Sequence, residues 1–260
     1  MGHIRLGRLP KSKQWHDVFD SLQSDAVNSK DIARSASRAT QQQFQVLKQD
    51  RSLNHCFWIL VRIATAARGN DFTAELKRLG VRNPASISPV SLVAQIARAV
   101  EAQNRAAGTP SVFSRMAELT LRKVLSDHIV SGSQNLFGQS GLTEIQQACR
   151  EISTQKHFGN VAREFFAGFT SRCFGYIADK ELSNSVGPDK AISSPVQASK
   201  LHEDLTRYCY EASKIIEEFA GGWFSKHNWE TNSNISANET SGFTAYALEK
   251  LAMDLEEGQR

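Results

Sequence analysis

Between Phe158 and Ile177 the apolar residues return every three or four positions: Phe158, Val161, Ala162, Phe165, Phe166, Phe169, Cys173, Tyr176 and Ile177. A strand would send alternate residues to one face, whereas these steps line one side of a helix. The pattern runs from about Thr154 to Ser183. A helix with so phenylalanine-rich a face is stable only where other helices cover it. On it Ala167, Ser171 and Gly175 fall four apart, so a neighbouring helix can approach closely along that line.

The rest of the chain answers in kind. Ser12 caps a first predicted helix carrying Trp15, Val18, Phe19 and Leu22, and a second runs from about Lys30 to Lys48. The third, about Ser52 to Ala67, is apolar nearly all round and belongs in the middle of a bundle, with Arg62 its one misfit. Asp71 begins a short helix that Gly80 ends, since glycine tolerates the left-handed position after a helix. Ser88-Pro89 pairs a capping hydroxyl with a proline whose missing N–H costs nothing at the first helical position. That helix ends near Gly108, and others are predicted from about Ser114 to Val130 and from about Thr143 to Ile152. Ser194-Pro195 opens a long helix through Leu205, Cys209, Ala212, Ile216 and Phe219. Ser236 and Glu239 form a capping box for a last helix with Phe243, Ala247, Leu251 and Leu255 inward.

Only the opening His-Ile-Arg-Leu-Gly reads as a strand, and it has no partner. The fold class is therefore all-α, an irregular multi-helix bundle of about nine or ten helices with little or no β-structure. Short loops predict a single domain over residues 1–260, the alternative being a two-lobed split near residues 80–110.

The longest uninterrupted apolar run, Cys56 to Val61, is far short of the roughly 20 residues that cross a bilayer. The first residues lack the apolar stretch of a secretory signal and the Ser/Thr of a myristoylation signal. A cytoplasmic protein that makes no use of a membrane is expected. Cys56, Cys149, Cys173 and Cys209 show no Cys-x-x-Cys pair and no histidine at ligand spacing. They read as reduced core thiols, with no metal site.

Several chemistries lack their residues. There is no GxxxxGK[ST], no GxGxxG and no HExxH, and the GQSGL at Gly138 has leucine where a nucleophile elbow needs its second glycine. No cofactor is expected. Arg122 and His128, and Arg150 and His157, stand at a spacing similar to that of the Arg–His pair in all-α ribonucleases of the HEPN type. That resemblance implies RNA cleavage, on a loose motif that chance supplies readily in an arginine-rich chain. Glu203, Asp204, Glu211, Glu217 and Glu218 read as a solvated acidic face, because no Glu-x-x-His accompanies them.

Two segments point to binding. Residues 1–82 hold 14 Lys/Arg against 7 Asp/Glu, a net of +7, while residues 83–260 hold 17 against 20, a net of −3. Within the basic part Arg34, Arg38, Gln41, Gln45 and Lys48 share one helix face, preceded by Arg5, Arg8, Lys11 and Lys13. Basic heads and amide forks on one stripe suit phosphates and base edges, and the alternative is a solvated helix face. The second segment is EFAGGWFSKHNWE, Glu218 to Glu230. Its glycine pair, Gly221-Gly222, predicts a helix break. Trp223, Phe224 and Trp229 then either fold back over the core or, with Lys226 and His227, form a patch for a protein partner. The leading expectation is a non-catalytic helical adaptor or structural subunit of a larger cytoplasmic assembly. A nucleic-acid-binding module and a HEPN-like ribonuclease are the alternatives.

Overall fold

The computed structural model describes residues 44, 46–69, 71–108, 111–133, 141–182 and 195–257. The first expected helix, the second up to residue 43, the strand-like opening, Gln41, Gln45 and every basic residue of the N-terminal stripe except Lys48 lie outside them. The described residues form nine α-helices and no strand: α1 (Arg51–Ala66), α2 (Phe72–Arg78), α3 (Pro89–Ala106), α4 (Val112–Leu125), α5 (Leu142–Ile152), α6 (Gln155–Leu182), α7 (Pro195–Ala212), α8 (Lys214–Glu230) and α9 (Ala237–Glu257). The all-α bundle is what the periodicity requires. None of these helices is long and apolar enough to cross a membrane.

The phenylalanine-rich α6 packs against α8, α7 and α4, while α1 packs against α4 and α9. Phe57 of α1 is fully buried where these meet, its ring centroid 5.5 Å from Phe165, 5.0 Å from Phe166 and 5.3 Å from Phe243. One connected apolar core extends from Phe44 to Leu255. Arg62 is not stranded on its apolar helix. It reaches Glu75 of α2 at 2.5 Å and Asn234, before α9, at 3.2 Å, so the misfit ties three elements together. All four cysteines are buried thiols, and burial raises each of them, Cys149 to about 12. They are protonated and make poor nucleophiles.

Several local signals act as their chemistry dictates. Asp71 and Ser88 cap α2 and α3 through Ala74 N and Ser91 N. Ser236 and Glu239 form the reciprocal capping box of α9. Gly80 ends α2 at φ 86° in a Schellman motif, with Gly80 N bonded to Lys77 O and Val81 N to Leu76 O. Ser171 meets Thr206 of α7 at 2.9 Å, and a Cβ on Gly175 would lie 3.2 Å from the His202 ring, so the small-residue line of α6 does admit a neighbouring helix.

The region before the last helix differs from expectation. Gly221 and Gly222 do not break a helix, and α8 runs through both. The interruption comes earlier, at Ser213, whose buried hydroxyl donates to Cys209 O at 2.6 Å and so competes with the backbone ladder. The end of α8 comes later, at Asn232 (φ 50°), where Asn232 N bonds Trp229 O and Ser233 N bonds Asn228 O. This is the Schellman motif again, with asparagine in place of glycine.

Gly221 serves close approach instead. A Cβ there would fall inside contact distance of the Gln155 carbonyl oxygen on α6, and one on Gly159 would lie 2.7 Å from Glu217 O of α8. Each helix presents a glycine to the other's backbone. Phe224 then stacks on Phe158 with ring centroids 4.0 Å apart.

Candidate functional site

Because α8 is continuous, its residues divide by face. Ile216, Ala220, Gly221, Phe224 and Asn228 are buried. Trp223 is half-buried at the seam with α9, 4.4 Å from the Phe243 ring and 4.9 Å from the His227 ring. The His227 Nδ1–H donates to Trp223 O at 2.9 Å, so that imidazole is held by its own helix. Lys226 is exposed and 3.9 Å from Glu230. Glu218, Gly222, Ser225 and Trp229 make up an exposed stripe, and Trp229 is 84% exposed. The three rings of the segment thus occupy core, seam and water.

Lys48, the one described residue of the basic stripe, forms a 3.2 Å ion pair with Glu249 of α9. A different basic surface lies between α2 and α3. A cleft of about 740 Å³ is lined by Arg82, Asn83, Ser86, Ser91, Gln95 and Arg98 among others, with no carboxylate in its wall. Both arginines are exposed and without an ion pair among the described residues.

Neither Arg–His spacing brings its residues together. Arg150 Nε donates to Ala67 O at 2.9 Å and so caps the end of α1, while His157 Nδ1 pairs with Thr154 Oγ1 at 2.7 Å. Arg122 is exposed and does not line the groove that His128 enters. The acidic residues of α7 and α8 are dispersed: Glu217 pairs with Arg163 at 2.7 Å, and Asp204 pairs with Arg207. Among the described residues no group of three His, Cys, Asp or Glu side chains stands where it could hold a metal ion.

The groove itself was not legible as a site. After Leu125 the helix widens into a π-helical turn, Ser126–Val130. Such turns are rare and recur at functional sites. Ile129 takes the core position and His128 moves to the edge, its side chain 25% exposed. There its Nε2 meets Glu164 Oε2 of α6 at 2.7 Å. A continuous α-helical register places His128 in the core, and nothing in the sequence marks the wider turn. The groove runs between α4 with its π turn, α6 and α7, and encloses about 760 Å³.

Comparison with known proteins found no family model, no curated protein and no solved structure that matches the chain.

Proposed function

We propose that the chain is a helical binding subunit of a larger cytoplasmic assembly, and that it meets a protein partner through the outer face of α8. One observation carries this reading: Trp229 is 84% exposed on a well-formed helix. Tryptophan is among the residues most often found to dominate binding energy at protein interfaces. Its stripe neighbours Gly222 and Ser225 are small, and a Cβ on Gly222 would have nothing within 4 Å. A partner helix can therefore lie close along the stripe with Trp229 as its anchor.

A photo-crosslinking residue placed at position 229 tests the reading, with one at Val90, 64% exposed on α3, as the control. The expected result is a discrete adduct with one protein from position 229 that is missing from position 90. The same adducts from both positions, or none from 229, would remove the proposal.

A second reading, nucleic-acid binding, draws support from the acid-free cleft at Arg82 and Arg98. Phosphate contacts make such binding fall steeply with salt. Binding of a labelled single-stranded RNA that survives the Arg82→Glu, Arg98→Glu double change would exclude the cleft.

A further inference from the structure

We infer that the groove between α4, α6 and α7 is a binding site for a small organic oxyanion, a carboxylate or phosphate ester with an apolar body, anchored on Arg172. The site is separate from the α8 face and does not depend on it. Its volume, about 760 Å³, lies in the range of small-molecule sites.

Each carboxylate of the wall has a side-chain partner. Asp127 pairs with Lys123 at 2.5 Å, and Glu164 pairs with His128 at 2.7 Å. Arg172 is half-buried and faces no carboxylate among the described residues. One of its Nη1 N–H bonds goes to Gly168 O at 2.9 Å, one turn back on α6. A guanidinium has five N–H donors, so most of the fork is left for an oxyanion. Desolvation lowers the Arg172 pKa, so the cation sits where an anionic partner would stabilise it.

Gly168 keeps that cation in place. A Cβ at 168 would lie 3.1 Å from Arg172 Nη1 and 3.2 Å from Thr120 Cγ2. A side chain at 168 makes the guanidinium or Thr120 give by a few tenths of an ångström. A glycine inside a helix costs about 1 kcal/mol relative to alanine, and here the missing side chain leaves room for the Arg172 fork beside Thr120.

The remaining wall selects the rest of the ligand. Glu164 Oε2 accepts from His128 Nε2–H, and the second ring nitrogen, Nδ1, has no hydrogen bond to the protein among the described residues. That nitrogen suits a ligand hydroxyl, which can donate or accept. Val124, Ala167 and the Tyr210 ring offer apolar contact. The ring is held by the Arg163 guanidinium 3.9 Å above it, while Arg163 Nε bonds Tyr210 O.

The test uses the full chain and 4-azidobenzoate as a photoaffinity probe, with phenyl phosphate as competitor. Label is expected on the segments 120–128, 164–172 or 206–210, and phenyl phosphate should suppress it. Arg172→Gln should weaken phenyl phosphate binding by about tenfold or more, the scale of a lost charge-assisted contact, while Lys77→Gln leaves it unchanged. His128→Gln should weaken it less. Label confined to other segments, label indifferent to phenyl phosphate, or an Arg172→Gln protein that binds as tightly as the parent would each overturn the assignment. Because the labelling reads the unmodified chain, the proposal stays testable even if Arg172→Gln fails to fold.

Discussion

The two faces of α8 are built from similar residues and serve opposite ends. The inner face carries Gly221 and Phe224, the outer face Gly222 and Trp229. Inside, the missing side chain of Gly221 lets α8 lie against the backbone of α6, and Phe224 fills the space beside it by stacking on Phe158. Outside, a Cβ on Gly222 would meet nothing within 4 Å and Trp229 is 84% exposed. Composition alone does not distinguish a packing seam from a contact surface. What distinguishes them is whether the residue's neighbours exist within the same chain.

The largest effect should come from exchanging the rings for alanine. Phe224→Ala opens a cavity in the α6–α8 seam and should cost about 3–5 kcal/mol in denaturant unfolding. Trp229→Ala should stay within about 0.5 kcal/mol, as surface changes do. Equal losses would mean that Trp229 also supports the fold.

A sharper contrast is expected at the glycines, because helix propensity alone predicts the same gain for both. Gly222→Ala should stabilise by up to about 1 kcal/mol. Gly221→Ala should instead destabilise, since its Cβ meets a backbone carbonyl that no rotamer change can move, and overpacking costs about 1–3 kcal/mol. A gain at both positions would show that the two helices are not in backbone contact.

The smallest effect concerns the start of α9. The Ser236 hydroxyl, and then its N–H, hold the Glu239 carboxyl below its ordinary value. A carboxyl lowered in the folded state contributes stability above its unfolded pKa and loses it as pH falls through the folded value. Glu239→Gln should therefore flatten the acid limb of the stability profile slightly. A profile unchanged from pH 6 to about 3 would mean that the box contributes nothing.

What could be read from the sequence follows the range of each signal. Helix faces and side-chain caps depend on residues three or four apart, so the Phe158–Ile177 pattern, Ser88-Pro89 and the Ser236–Glu239 box were all legible. Gly80 and Gly221 look alike in sequence, yet one needs positive φ and the other needs only the lack of a side chain. The second need is set by Gln155, 66 positions away (221 against 155), which no local pattern reveals. Asn232 ends its helix as Gly80 does, but asparagine signals that less clearly. The groove was hidden for the same reason. Glu164 and Thr206 reach His128 and Ser171 only because α6 threads between α4 and α7, and the π turn that aims His128 has no sequence mark.

The central claim is that Trp229 serves a partner and not the fold. Calorimetric titration of the partner captured from position 229 against the parent and the Trp229→Ala protein, with both melting temperatures, tests it most directly. Binding of the Trp229→Ala protein should be weaker by about 30-fold or more, the loss of a hot-spot residue, at an unchanged melting temperature. Equal affinity, or a melting temperature lowered as far as that of Phe224→Ala, would contradict it.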